Sequence, residues 1–238
     1  MKILAIESSA TLLHIALKSE DFYISQTKMG GKNFSEELMS EIVLLAKKVP
    51  LKLKDLDLVL TSEGPGSFTS LRVGYATAKG IAFGSNIPLV SVSTTEVLAY
   101  PLRSLEMPVL AALDAKKRRY YCALFNQGKR LSADIDGQIK EIVTLIAPYG
   151  SIMVAGPDAQ ELSNKICDEV TKQGIKTKIY ADYLKYRDLG ESMIEIGKKL
   201  FLERGADPPN KGPTYIRKSD AEVSLEDREK RSKEEQDE

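Results

Sequence analysis

Twice in this sequence an unbroken apolar run ends in an acid. Ile3-Leu4-Ala5-Ile6 leads to Glu7, and Val109-Leu110-Ala111-Ala112-Leu113 leads to Asp114. A half-exposed strand alternates apolar and polar residues, so a run without alternation reads as a buried strand. The order of elements after each run is similar. The first run is followed by strands over 12–18 and 22–28, then a helix in which Leu38, Ile42, Leu45 and Val49 recur at helical spacing and Pro50 stops the pattern. A strand over 57–61, a helix over 69–83, a strand over 88–92 and a short helix over 94–100 complete that half. The second run leads to a strand over 120–125, a third near Leu131, and a helix over 139–146. A strand over 152–155, a helix over 157–170, a short strand at 179–180 and a helix over 189–203 follow. The pattern predicts an α/β chain of two lobes, each built on a β-β-β-α-β-α unit. The boundary falls in 101–108, which gives a lobe over 1–104 and a smaller lobe over 105–188. Residues 189–218 form a helix and strand returning to the first lobe, and 219–238 form a charged, disordered tail.

Charge composition supports the last assignment. The 238 residues carry 34 Lys and Arg against 34 Asp and Glu, a net charge of zero. From Asp220 onward there are nine acids and four bases, so this stretch holds −5 and the rest holds +5. With almost no apolar residues, it cannot bury enough surface to order itself. No apolar run approaches the roughly 18 residues of a membrane helix, and the short run before Glu7 is too brief for a secretory signal. Cys122 and Cys167 are far apart and form no CxxC, which reads as reduced thiols in a cytoplasmic protein. The sole histidine, His14, excludes any two-histidine zinc site and HExxH chemistry. A Ser-His-Asp relay, as in a peptidase, would have to use His14, which sits in a strand-like run and reads as bonded to a neighbour.

Duplicated halves of this kind suggest the actin-like, Hsp70-like (ASKHA) architecture, in which ATP lies between the lobes. That use needs glycine-bearing turns after the first strand of each half, so that backbone N–H groups can approach phosphate. Here the turns are Glu7-Ser8-Ser9-Ala10-Thr11 and Asp114-Ala115-Lys116-Lys117-Arg118, both without glycine. On the adenine side Gly156 is followed by Pro157, which has no N–H to offer. An ATP-dependent phosphotransferase of the actin-like class is therefore the alternative rather than the leading function. No cofactor, metal or catalytic residue is expected. Gly64-Pro65-Gly66-Ser67-Phe68 is a tight turn before a helix; Ser67 or Thr69 can cap that helix, or its N-terminus can hold an anion. It is not a Walker A loop.

ILAIESS, SEGPGSFTSLRVGYATAKGIA, IPLVSVSTTEVLA, LDAKKRRYYCAL and the late PTYIR together resemble the TsaB (YeaZ) family over residues 1–217. The resemblance implies a non-catalytic partner and scaffold of TsaD in forming threonylcarbamoyladenosine (t6A) at position 37 of ANN-decoding tRNAs. It further implies a heterodimer with TsaD, a ternary complex that includes the ATPase TsaE, and a synthase supplying threonylcarbamoyl-AMP. Many members have His-Ser-Glu where this chain has Phe34-Ser35-Glu36, and Phe34 cannot bind a metal. Ser70 stands where glycine is usual, and Arg118-Arg119 replaces a Gly-acid pair.

Two surfaces are candidates for contact. Lys116, Lys117, Arg118 and Arg119, followed by Tyr120 and Tyr121, can touch tRNA phosphates or form a solvated hairpin turn. The first long helix has more apolar residues than one core stripe needs, and the second carries Gly74, Ala76, Ala78, Gly80 and Ala82 at close-approach spacing. The resemblance also places the TsaD contact on these two helices. Leu38, Ile42, Leu45, Gly74, Ala76 and Ala78 are the candidate partner-interface residues, and the same surface would serve a homodimer of the free protein. Arg72 is a candidate anion ligand or ion-pair member.

Overall fold

The computed structural model describes residues 1–10, 12–29, 34–184 and 187–217. The charged tail and Asn33, a residue able to cap the first long helix, lie outside the described residues. The first half runs β1 (Ile3–Glu7), β2 (Leu12–Lys18), β3 (Tyr23–Met29), α1 (Phe34–Ala46), β4 (Leu58–Gly64), α2 (Phe68–Ser85), β5 (Leu89–Ser93) and α3 (Thr94–Ala99). The second runs β6 (Val109–Asp114), β7 (Tyr120–Asn126), β8 (Lys129–Arg130), β9 (Ile135–Gly137), α4 (Ile139–Ile146), β10 (Ser151–Ala155), α5 (Ala159–Lys172), β11 (Lys178–Ala181) and α6 (Gly190–Arg204). Single turns of 3₁₀ helix at Leu53–Asp55 and Tyr100–Leu102 fill two connections.

Both halves build one topology. The first sheet is ordered β3-β2-β1-β4-β5, and the second β11-β10-β6-β7, with β8 and β9 both pairing along β7. In each, the opening strand runs antiparallel to the second and parallel to the fourth. Each half also carries a fifth, parallel strand, β5 or β11, beyond the β-β-β-α-β-α unit. This is the duplicated actin-like arrangement. The third strand of the second half is split around Leu131 rather than continuous. Leu131 and Ser132 both turn their N–H groups to Leu124 O, and Ser132 Oγ takes the Leu124 N–H. Two residues facing one make a bulge that breaks the strand into β8 and β9.

The unbroken apolar runs now have a physical reason. Ile3 and Ala5 pack on one face of β1, and Leu4 and Ile6 on the other. Val109, Ala111 and Leu113 likewise separate from Leu110 and Ala112 in β6. Helices α1 and α2 cover the outside of the first sheet, and α4 and α5 the outside of the second. Residues of α3 and α6 fill the space between the sheets, with Val97, Leu98, Met193 and Ile194 joining both sheets in one core. Each such side chain contributes about 1.5–3 kcal/mol by leaving water. Helix α6 sits close on the first sheet because Gly197 leaves room for the Leu60 side chain, where a Cβ would collide.

Candidate functional site

The turn after β1 is filled by the chain itself. Ser8 N–H donates to Ser62 Oγ at 3.1 Å, and Ser8 Oγ to Ser70 O at 3.2 Å. Ser67 N–H donates to Ser9 O at 2.7 Å. Gly66 lies against the Ser9 backbone and Gly74 against the Ser8 hydroxyl, so neither position has room for a Cβ. The glycines of this loop and helix therefore serve close packing against the first turn. Ser67 stands at the N-cap of α2 but makes no side-chain capping bond; its hydroxyl meets Ser70 Oγ instead, at 3.1 Å. Glu7 is buried, and its Oε1 takes both the N–H and the hydroxyl of Ser9. Burial raises the Glu7 carboxyl above its usual range, against those hydrogen bonds. His14 faces Glu7 across the β1–β2 register and its Nδ1 bonds Thr27 Oγ1 at 2.9 Å, the neighbour bond the sequence predicted.

The second turn is closed by a cation. Lys116 gives its N–H and its ammonium to Asp114, at 2.8 and 2.7 Å. Burial pushes the Asp114 carboxyl up, but the Lys116 bonds outweigh it and hold the group below the usual range. Lys116, Lys117 and Arg118 all have positive φ, 61°, 55° and 59°, a left-handed turn made without glycine. These three are exposed, while Arg119 turns inward to Asp136 at 3.0 Å. The four bases thus divide into an exposed tip and one structural arginine. On the neighbouring strand end of the same sheet, Gly156 has φ 127° and lies against Ala112 O, leaving no room for a side chain.

The strand expected after the last helix is not formed: among the described residues, 205–217 are an irregular strap that runs from Glu63 to the second turn. Thr214 donates its N–H to Glu63 O and its hydroxyl to Glu63 Oε1. Tyr215 stacks on Phe68 with centroids 4.0 Å apart and takes a hydrogen bond from Arg72 Nε. Arg72 also lies 4.3 Å over the Phe68 ring, a cation–π contact. Arg217 then reaches the second half, binding both oxygens of Asp136 at 2.7 Å and Ala115 O at 2.8 Å. Asp136 thereby holds two arginines. The PTYIR segment carried the signal for this strap, but the cross-lobe partner Asp136 has no sequence mark.

The structure divides the six interface candidates. Leu38, Ile42, Leu45 and Ala78 are 0–1% exposed in the core under the first sheet, and Gly74 is buried on Ser8. These five face the protein's own interior, because helical spacing reports an apolar stripe and the broader stripe belongs to the sheet. Ala76 alone is exposed. The open side of α2 carries Ala76, Gly80, Phe83 and Gly84; Phe83 is 92% exposed, and Gly80 and Gly84 have only open space where a side chain would stand. Met39 of α1 is 43% exposed and lines a groove with Leu53, Thr77, Gly80 and Gly84.

Comparison with known proteins agrees with this framework. The family model described as "TsaD: tRNA N6-adenosine threonylcarbamoyltransferase" matches residues 19–219. The Bacillus subtilis tRNA threonylcarbamoyladenosine biosynthesis protein TsaB is 34% identical over 129 residues, covering 52% of this chain and 55% of its own. TsaB of Buchnera aphidicola subsp. Acyrthosiphon pisum is 29% identical over 129 residues, covering 53% and 58%. The chain thus spans about half the length of the curated relatives it matches. A structure of YeaZ from Pseudomonas aeruginosa superposes with TM-score 0.70 at 19% identity, over 90% of this chain and 99% of that one, and shows the fold alone.

Proposed function

Because the chain belongs to the TsaB (YeaZ) family, within the family described by the TsaD model, we propose that it is a non-catalytic partner and scaffold of a TsaD-type protein in making t6A at position 37 of ANN-decoding tRNAs. The observation that carries this reading is the open, small-residue side of α2. Ala76, Gly80 and Gly84 let a second helix approach closely, and Phe83 and Met39 supply apolar surface at its edge. Paired with matching helices of a related subunit, α1 and α2 would form a four-helix contact. The turns at Ser9 and Asp114 support a scaffold role, since their groups are bonded to the chain's own atoms. The proposal includes a TsaE-type ATPase as third component, lobes over 1–104 and 105–188 with 189–218 returning to the first, and a cytoplasmic site of action. Among the described residues no helix is long and apolar enough to cross a membrane.

The test is co-purification with the TsaD-type protein of the same source, using wild type, Ala76→Arg and Gly80→Arg. Both variants should fold and lose the complex, and t6A formation should fall with it. Wild-type binding by both would sink the reading.

A further inference from the structure

A pocket opens between the lobes beside the Glu7 turn. Its wall includes Glu7, His14, Leu98, Leu184, Arg187 and Leu189. Glu7 is 3% exposed, and while Oε1 is saturated by Ser9, Oε2 is buried with no hydrogen-bond partner. A buried acceptor left bare calls for a donor. The remainder of the wall defines which donor. Among the described residues of the lining Arg187 is the one cation, and it is bound through two nitrogens to both oxygens of Asp182. Among the described residues, a phosphate or carboxylate would meet the Glu7 carboxyl with no uncommitted cation to offset it. Among the described residues no three His, Cys, Asp or Glu side chains gather to hold a metal. Leucines line much of the rest, suited to a short carbon chain.

We propose that this pocket binds a small alkylammonium ion, its N–H groups toward Glu7 Oε2 and its chain against Leu98, Leu184 and Leu189. The positive charge is part of the assignment: it offsets the desolvation of the Glu7 carboxylate, which a neutral alcohol does not. Burial raises the Glu7 pKa and a bound cation lowers it, so binding favours the charged carboxylate. Among the described residues, the other titratable and charged groups nearby do not supply that coupling. Asp182 and Arg187 bind each other, and Asp188, beside His14, takes hydrogen bonds from Tyr23, Ser25 and the Gly190 N–H. His14 itself is pushed down to about 4 by burial and stays neutral at the pH values of the test.

The experiment titrates the full chain separately with n-propylammonium chloride, n-propanol and potassium chloride, reading amide shifts by NMR and proton release by calorimetry at pH 6 and pH 8. Propylammonium should give saturable shifts at Glu7, Ser9, His14 and Leu98, and any proton release on binding should be lost in Glu7→Gln. Glu7→Gln should weaken it at least tenfold. Leu184→Trp, on the exposed rim, should do the same with unchanged melting, and it decides the matter if Glu7→Gln does not fold. Equal binding of n-propanol, equal competition by potassium, absence of saturable shifts with any probe, or wild-type affinity in Leu184→Trp would each overturn the proposal.

Discussion

Ala76 and Ala78 are two residues apart on α2 and have opposite environments. The spacing of small residues was legible in the sequence; the rotation of the helix was not, because Ala carries no bias toward either side. Ala78 is fully buried, so Ala78→Arg places an unpaired guanidinium in the core and should cost about 3–5 kcal/mol. Ala76→Arg, on the open side, should change stability by no more than about 0.5 kcal/mol. Urea unfolding of the two variants checks both, and similar losses would mean that the helix rotation is wrong. His14 gives a second residue-level outcome. Burial lowers its pKa from 6.5 to about 4, so folding favours the neutral ring. The unfolded chain takes up a proton below about pH 6.5 and the folded one only near pH 4. The stability this contributes is full above pH 6.5 and is lost as pH falls toward 4, about 3 kcal/mol in all. Wild type should lose that much more than His14→Gln between pH 6.5 and 4 in urea titrations. Parallel curves would show that His14 is not the group responsible.

At the scale of elements, the regular helices and strands were legible because burial imposes a period on them. The uninterrupted runs of β1 and β6 mark strands covered on both faces, and Pro50 marks the end of the α1 region. The strap over 213–217 has no period. Its bonds are made by single side chains to partners far along the chain, such as Arg217 to Asp136, and nothing local encodes that pairing. Composition separates the strap from the tail that follows it. Removing residues 220–238 should leave melting unchanged, since that stretch has little apolar surface to bury. Arg217→Ala should lower stability by about 1.5–3 kcal/mol, because Asp136 loses a charge-assisted bidentate partner while half-buried. Calorimetric melting of both proteins reads the difference. Equal melting of the two would mean that the strap does not hold the lobes, and a large fall in the truncated protein would show that the tail is docked.

At the scale of the molecule, the two sheets repeat one topology, but their outer layers differ. The helices outside the second sheet, α4 and α5, carry polar and charged residues on their exposed sides, whereas α2 leaves Ala76, Gly80, Phe83 and Gly84 uncovered. A fold this size rarely leaves such a strip without a use. An isologous dimer requires that the strip meet itself, and small residues facing small residues allow that. The same strip would meet the equivalent helices of a related subunit, so self-association and heterodimer formation compete for it. The free protein should therefore show a concentration-dependent dimer in sedimentation velocity. Addition of the TsaD-type protein should convert it to a one-to-one complex at the dimer's expense. Gly80→Arg should abolish both species together, because a guanidinium at a position with open space folds without strain yet blocks close helix approach. Loss of the dimer alone, with the heterodimer intact, would separate the two surfaces and place the partner contact elsewhere. Loss of neither would leave the strip without a role in association.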